Sequence, residues 1–293
     1  MEARLSGHTK LYALIGSPVG HSGSPAMHNY SFQRLGIDAA YLAFDVTEEK
    51  TADAFRALRT LHAGGFNVTM PCKKEAARLV DRLSPEAALI GACNTVVIEE
   101  DGTTTGYNTD GTGFLRSLKE HGTDVRGQKV AILGAGGAAT AVAVQAALDG
   151  AEEIAILNRR SGHSYENGVK TAGKIRNAGL DIREVSVGDL EDKSLLREVI
   201  ARSDILVNGT RVGMCPMDDL TPVPAEYLHR DLTVADVVYN PRETRLLREA
   251  KAAGCRAVVG GIGMLLWQGA EAFRLFTGQE MPAEEVREKF FRE

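Results

Sequence analysis

Gly134-Ala135-Gly136-Gly137-Ala138-Ala139 decides the reading of this chain, by its position as much as by its composition. An apolar run at 130–133 precedes it and reads as a buried strand. An alanine-rich segment follows, helical by spacing, to about Asp149 with Gly150 as its C-cap. Gly134, Gly136 and Ala139 stand in a G-x-G-x-x-A spacing, the turn that lets a backbone approach a pyrophosphate at a helix N terminus. A second apolar run at 154–157 completes a βαβ unit, and the whole predicts dinucleotide binding. The unit starts at residue 130, so the chain before it is long enough for a domain of its own.

The 293 residues fit two domains, and a hydrophobic fraction of 44% supports a proper core in each. A net charge of −5 with mixed signs throughout gives no electrostatic case for nucleic acid or an anionic membrane as partner. The stretch from Met1 to Lys10 is polar and lacks the apolar core of a signal peptide, and no run is long enough to span a bilayer. The four cysteines, Cys72, Cys93, Cys215 and Cys255, form no C-x-x-C pair and have no histidine at metal-ligand spacing. A cytoplasmic protein with reduced thiols and no metal is expected.

Downstream of the glycine turn, strand candidates at 130–133, 154–157, 182–185, 204–207, 234–238 and 257–259 alternate with helical stretches. That alternation predicts a parallel sheet covered on both faces. The first part carries strand candidates at 11–15, 41–44, 66–68 and 96–99, with helices near 25–35 and 48–61. A helix at 114–120 is expected to open the crossing into the nucleotide domain. Helices at 264–276 and 283–291 form the tail, placed as a brace on the first lobe. The fold class expected is therefore α/β and two-lobed. An N-terminal α/β substrate domain (1–112, completed by 264–293) joins a Rossmann-like, doubly wound nucleotide domain (113–263). Ligands of open α/β sheets bind at the carboxyl ends of the strands, so substrate is expected in the cleft between the lobes.

Three loops of the first part are dense in groups that can hold and deprotonate an alcohol. Gly16-Ser17-Pro18-Val19-Gly20-His21-Ser22-Gly23-Ser24-Pro25 follows a strand and leads into a proline-started helix. Its hydroxyls at Ser22 and Ser24 either bind a carboxylate near the positive helix end or cap the helix. Asn67-Val68-Thr69-Met70-Pro71-Cys72-Lys73-Lys74 alternates polar residues around a buried valine and puts Lys73 in a helix's first turn. A cation there opposes the helix dipole, which raises a functional question. Asn94-Thr95-Val96-Val97 and, beyond a turn at Asp101-Gly102, Tyr107-Asn108-Thr109-Asp110-Gly111 make the third; Asn-x-Asp-Gly on its own reads as a tight turn.

In order along the chain, these three loops and Gly134-Ala135-Gly136-Gly137-Ala138 resemble the motifs of the shikimate dehydrogenase family. Tyr239-Asn240-Pro241 and Gly263-Met264-Leu265-Leu266-Trp267-Gln268 extend the resemblance over nearly the whole chain. Trp267-Gln268 and Asn158-Arg159-Arg160 resemble its quinate/shikimate branch in particular. The resemblance implies a catalytic pair, Lys73 and Asp110. It implies carboxylate contacts from Ser22 and Ser24 and ring-hydroxyl contacts from Thr69, Asn94, Tyr239 and Gln268, with Asn67 lining the same pocket. Cofactor contacts would come from Gly134, Ala135, Gly136, Gly137, Ala138, Asn158, Arg159, Arg160, Val237 and Gly261.

The activity implied is the reversible reduction of 3-dehydroshikimate to shikimate with NADP, in chorismate and aromatic amino acid biosynthesis. The second strand of the nucleotide unit ends Leu157-Asn158-Arg159-Arg160, without the carboxylate that reads a ribose 2′-hydroxyl, and arginine suits a 2′-phosphate. Ser161 replaces the acidic residue common in the quinate/shikimate branch, and His163 stands where NADP users place a further basic residue. Measurable activity with NAD is expected beside NADP. The alternatives are a quinate/shikimate dehydrogenase using NAD or NADP, and a catalytically idle nucleotide-binding sensor. A monomer or homodimer is expected.

Overall fold

The computed structural model describes residues 5–162 and 164–291. They fall into two compact units: the chain up to Thr109 together with Gln268 onward, and Asp110–Trp267.

The first unit runs β1 (Lys10–Gly16), α1 (Ser24–Leu35), β2 (Ala39–Asp45), α2 (Thr51–Thr60), β3 (Gly65–Val68), α3 (Lys73–Leu79), β4 (Arg82–Leu83), α4 (Pro85–Ile90), β5 (Thr95–Ile98) and β6 (Thr104–Tyr107). Its sheet has the order β2-β1-β3-β5-β6-β4. β1 pairs parallel with β2 and β3, and the crossovers this requires are α1 and α2. β5 turns the sheet antiparallel against β3 and β6. The β5–β6 hairpin closes on Asp101-Gly102, where Gly102 sits at φ +80° and the Asp101 carboxylate accepts from the Thr103 amide at 2.8 Å. β6, Thr-Thr-Gly-Tyr, has no aliphatic run to announce it; hairpin pairing makes it a strand.

The second unit opens with α5 (Thr109–Glu120) and continues β7 (Lys129–Leu133), α6 (Gly137–Leu148), β8 (Glu153–Asn158), α7 (Tyr165–Arg176), β9 (Glu184–Asp189), α8 (Lys193–Ala201), β10 (Ile205–Asn208), β11 (Thr233–Asp236), α9 (Arg245–Ala252) and β12 (Ala257–Val259). All six strands are parallel, in the order β12-β11-β10-β7-β8-β9. The order reverses between β7 and β10, the topological switch point of a Rossmann-type sheet. Two boundaries differ most from the sequence reading. The third strand lies at Glu184–Asp189 rather than 182–185, because it pairs with β8 along its full length, from Glu153↔Glu184 to Asn158↔Asp189. The helix expected at 114–120 begins at Thr109, which carries Asp110 into its first turn, where a carboxylate complements the helix dipole. α5 and α6 approach so closely at Gly111 that a Cβ there would stand 2.5 Å from the Ala141 carbonyl.

α10 (Ile262–Thr277) and α11 (Ala283–Phe290) end the chain. From Gln268 onward these helices belong to the first unit. Gly269 admits the Met27 side chain of α1, and Glu285 pairs with Arg34 at 2.6 Å and accepts from Tyr30 at 3.0 Å. Phe273 and Phe276 close an aromatic cluster with Tyr12, His28 and Phe32, while Ile15, Phe55, Leu58, Phe66 and Val96 pack among themselves in a separate core. Among the described residues no helix is long and apolar enough to cross a membrane.

Candidate functional site

The glycine turn joins β7 to α6. Gly134, directly after β7, sits at φ +98°, and a Cβ there would meet the Gly209 carbonyl at 3.0 Å. Gly136 is the N-cap of α6, with no side chain capping the helix and no acidic residue in its first turn. A Cβ on Gly136 or Gly137 would meet nothing within 4 Å, so open space adjoins both residues at the helix start. An uncapped helix start with cleared approach fits a pyrophosphate. Ala135 is buried, its carbonyl accepting from Asn167 at 2.6 Å, and Ala138 is half-buried.

β8 ends at half-buried Asn158; Arg159 and Arg160 follow, both exposed. The Arg160 amide donates to Asp189 at 3.2 Å and its guanidinium lies 5.7 Å from the Tyr165 ring. His163 lies outside the described residues.

A buried carboxylate ties the neighbouring loops together. Asp236 ends β11 and accepts from the Val238 amide at 2.9 Å, Thr244 Oγ1 at 2.7 Å and Asn208 Nδ2 at 3.0 Å. Burial pushes its carboxyl up, against the pull of these donors. Asn208, ending β10, also donates to the Val212 carbonyl and accepts from the Thr210 amide and hydroxyl. The loop Val237–Tyr239 is thereby fixed, with Val237 against Gly261, where a Cβ would stand 2.6 Å from the Val237 carbonyl. Tyr239 is exposed.

In the first unit, the loops after β1 and β3 are laced by their backbones. The Ser17 amide donates to the Met70 carbonyl at 2.9 Å and the Thr69 amide to Ile15 at 2.9 Å. A Cβ on Gly16 would collide with the Thr69 side chain. α1 is capped by Gly23 without a side-chain bond, so neither serine is its cap. Ser22 Oγ instead accepts from the Ser24 amide at 3.2 Å, and both hydroxyl residues remain half-buried. Lys73, half-buried, starts α3; its carbonyl accepts from the Cys93 amide at 3.1 Å. The Cys93 thiol is pushed up to about 12 by burial, with the Lys73 charge pulling the other way.

Asn67 and Asn94 lie deeper, 6% and 3% exposed, within one hydrogen-bonded chain. Tyr41 donates to Asn67 Oδ1 at 2.7 Å. Asn67 Nδ2 donates to Thr95 Oγ1 at 2.9 Å and to the Asn94 carbonyl at 3.2 Å. Thr95 donates to Asn94 Oδ1 at 3.0 Å, and Asn94 holds Thr109, the residue before Asp110. Gln268, on α10, is half-buried. One residue earlier, Trp267 donates to Glu120 at 2.6 Å and carries the Arg116 guanidinium 3.6 Å above its ring.

The structure thus gathers Asn67 and Asn94 into one hydrogen-bonded chain, laces the Ser22–Ser24 and Thr69 loops together and sets Lys73 against Cys93, all in the first unit. In the second unit it sets Val237 and Gly261 together and leaves the α6 start open. Tyr41, Thr95, Thr109, Asn208, Asp236 and Thr244 escape the sequence reading. Tyr41, Thr95, Asn208 and Asp236 share one signal, a polar side chain within or closing a strand, where it must find a partner, whereas Thr109 opens α5 and Thr244 caps α9.

A doubly wound parallel sheet with an open, uncapped G-x-G-x-x-A turn defines a Rossmann-type dinucleotide-binding protein. The chain matches the model of the shikimate dehydrogenase substrate binding domain over residues 14–96 and that of the shikimate 5′-dehydrogenase C-terminal domain over 261–289. It is 48% identical over 289 residues to the shikimate dehydrogenase (NADP(+)) of Listeria monocytogenes, covering 98% of each chain. The chain belongs to the shikimate dehydrogenase family. Shikimate 5-dehydrogenase from Listeria monocytogenes, solved with shikimate and NAD, superposes with a TM-score of 0.93 at 48% identity over 97% of both chains. Quinate dehydrogenase from Corynebacterium glutamicum, solved with NAD, gives 0.86 at 34% identity over 97% of this chain and 99% of that one.

Proposed function

We propose that this protein is a shikimate dehydrogenase, reversibly reducing 3-dehydroshikimate to shikimate with NADP(H), on the route to chorismate and the aromatic amino acids. The observation that carries the reading is a match running over 98% of both chains to a relative of that name. Most of the substrate contacts lie on the first unit, and the second holds the cofactor contacts. Four free thiols suit a reducing cytoplasm.

Bound NADPH supplies the hydride. Lys73 donates a proton to the carbonyl oxygen as charge develops there, and takes one back in the reverse direction. Asp110 shares that proton as the other half of a coupled pair. Ser22 and Ser24 hold the carboxylate by charge-assisted hydrogen bonds. Thr69, Asn94, Tyr239 and Gln268 fix the ring hydroxyls, and Asn67 lines the pocket. Gly134, Ala135, Gly136, Gly137 and Ala138 form the pyrophosphate turn, with Val237 and Gly261 contributing from the loops after β11 and β12. Asn158, Arg159 and Arg160 receive the 2′-phosphate, since no carboxylate closes β8 to repel it.

The test is to mix purified protein with NADP+ and shikimate and follow nicotinamide absorbance. A rise that needs both compounds supports the reading; no rise with shikimate removes it.

A further inference from the structure

We propose that Asn167 is a positioning residue of the cofactor site, holding the Ala135–Gly136 peptide so that its N–H is left to the pyrophosphate. This deepens the function proposed above and rests on it.

Asn167 stands in the first turn of α7, the helix that follows the loop carrying Arg159 and Arg160. Its Nδ2 donates to the Ala135 carbonyl at 2.6 Å and to Thr140 Oγ1 at 3.0 Å. One carboxamide nitrogen thus spans the turn after β7 and the first turn of α6. The backbone dictates its orientation: a carbonyl only accepts, so the nitrogen must face Ala135. The close approach is built in. Gly168, the next residue, is buried, and a Cβ there would stand 3.2 Å from the Ala135 methyl.

A trans peptide is planar, with its C=O and N–H pointing opposite ways. Holding the Ala135 carbonyl on Asn167 therefore turns the Gly136 N–H away from α7. Among the described residues no hydrogen bond takes that N–H, and Gly136 caps α6 in extended geometry, φ −75° and ψ −174°. It is one of the donors that a pyrophosphate at this helix start would use.

Nothing in the local backbone keeps this peptide from turning over. The turnover changes ψ of Ala135 and φ of Gly136, and glycine accepts either sign of φ. A turned peptide would present a carbonyl to the phosphate in place of an N–H. The Asn167 bond opposes this, because the turned peptide would set the Gly136 N–H against Nδ2, donor against donor. NAD and NADP share the pyrophosphate, so Asn167 serves both cofactors, whereas Arg159 and Arg160 serve only the 2′-phosphate.

Asn167→Leu keeps the side-chain volume and removes the donor. We expect KM for NADP+ and for NAD+ to rise by the same factor, about five- to ten-fold, for the loss of one hydrogen bond. KM for shikimate, and kcat at saturating cofactor, should stay within about two-fold of wild type. Two inhibitors separate this from a general loosening of α7. Adenosine 2′,5′-bisphosphate and adenosine 2′-monophosphate differ only in the 5′-phosphate, the group that the turn receives. Against NADP+, the inhibition constant of the bisphosphate should rise several-fold in Asn167→Leu, and that of the monophosphate should not move.

Unchanged KM for both cofactors, a rise confined to NADP+, an equal rise for shikimate, or an equal loss for both inhibitors would each overturn the proposal. Should Asn167→Leu not fold, Asn167→Ala, at this half-buried position, decides by the same criteria. Wild-type protein inert toward shikimate with either cofactor removes the functional reading and this inference with it; an active wild type with a silent Asn167→Leu removes this inference alone.

Discussion

Asn94 grips Thr109 at both its backbone and its side chain: Oδ1 accepts from the Thr109 amide at 2.9 Å and Nδ2 donates to Thr109 Oγ1 at 3.0 Å. The amide so satisfied belongs to the first residue of α5, a helix start whose N–H groups have no partner within the helix. One side chain on a strand end therefore fixes where the helix begins, and with it Asp110. Asn94→Ala should leave a buried amide unsatisfied, costing about 1–3 kcal/mol. Its thermal midpoint should drop and its kcat fall with it. A variant as stable and as fast as wild type would show that Asn94 does not set the helix start.

Lys73→Ala should lower kcat by roughly 10²–10⁴ while moving KM far less, the loss expected of a proton-transfer group. Asp110→Asn should cost a comparable factor. The double variant should fall well short of the product of the two, because a coupled pair is lost once. Near wild-type kcat in Lys73→Ala would remove Lys73 from the chemistry.

Ser22→Ala and Ser24→Ala should act on binding. Each hydroxyl–carboxylate bond is charge-assisted and worth roughly 1.5–3 kcal/mol, so KM for shikimate should rise about ten-fold or more. An analogue lacking the carboxylate should bind variants and wild type equally poorly. Unchanged KM in both variants would reduce the two serines to loop geometry.

Acid should find His28. Burial among Phe32, Tyr41, Phe273 and Phe276 lowers its pKa from 6.5 to about 3. An unfolded chain binds that proton below about pH 6.5 while the folded one does not until about pH 3, so stability falls as pH drops through this window. The slope approaches about 1.4 kcal/mol per pH unit from this group. His28→Phe should lose less in thermal midpoint than wild type on going from neutral to mildly acidic buffer. Parallel curves for the two proteins would show that His28 is not held neutral.

Most of the second unit was legible in the sequence because parallel strands buried on both faces are continuous apolar runs, as at Val130–Leu133 and Ile154–Leu157. Gly134 and Gly136 were legible because a turn against a helix start needs them. β6 was not, since Thr104–Tyr107 owes its strand form to pairing with β5. Lys73 could be read as a cation set against a helix dipole, whereas Tyr41 could not be read at all. Its partner Asn67 is 26 residues away, and only the sheet brings the phenol to the amide. Asp236 and Asn208 escaped for the same reason: each ends an apolar strand like any strand-terminal polar residue, and their bond exists only through parallel register.

The most direct measurement is the set of kcat/KM values for shikimate and quinate, each with NADP+ and NAD+, on wild-type protein and on Arg159→Ala. The account predicts that shikimate with NADP+ is the best pair, with measurable turnover on NAD+. Arg159→Ala should raise KM for NADP+ at least several-fold and leave that for NAD+ nearly unchanged, because only the 2′-phosphate distinguishes them. A wild-type preference for NAD+ would contradict the cofactor assignment, a preference for quinate would favour the quinate dehydrogenase reading, and no turnover with any pair would contradict the account as a whole.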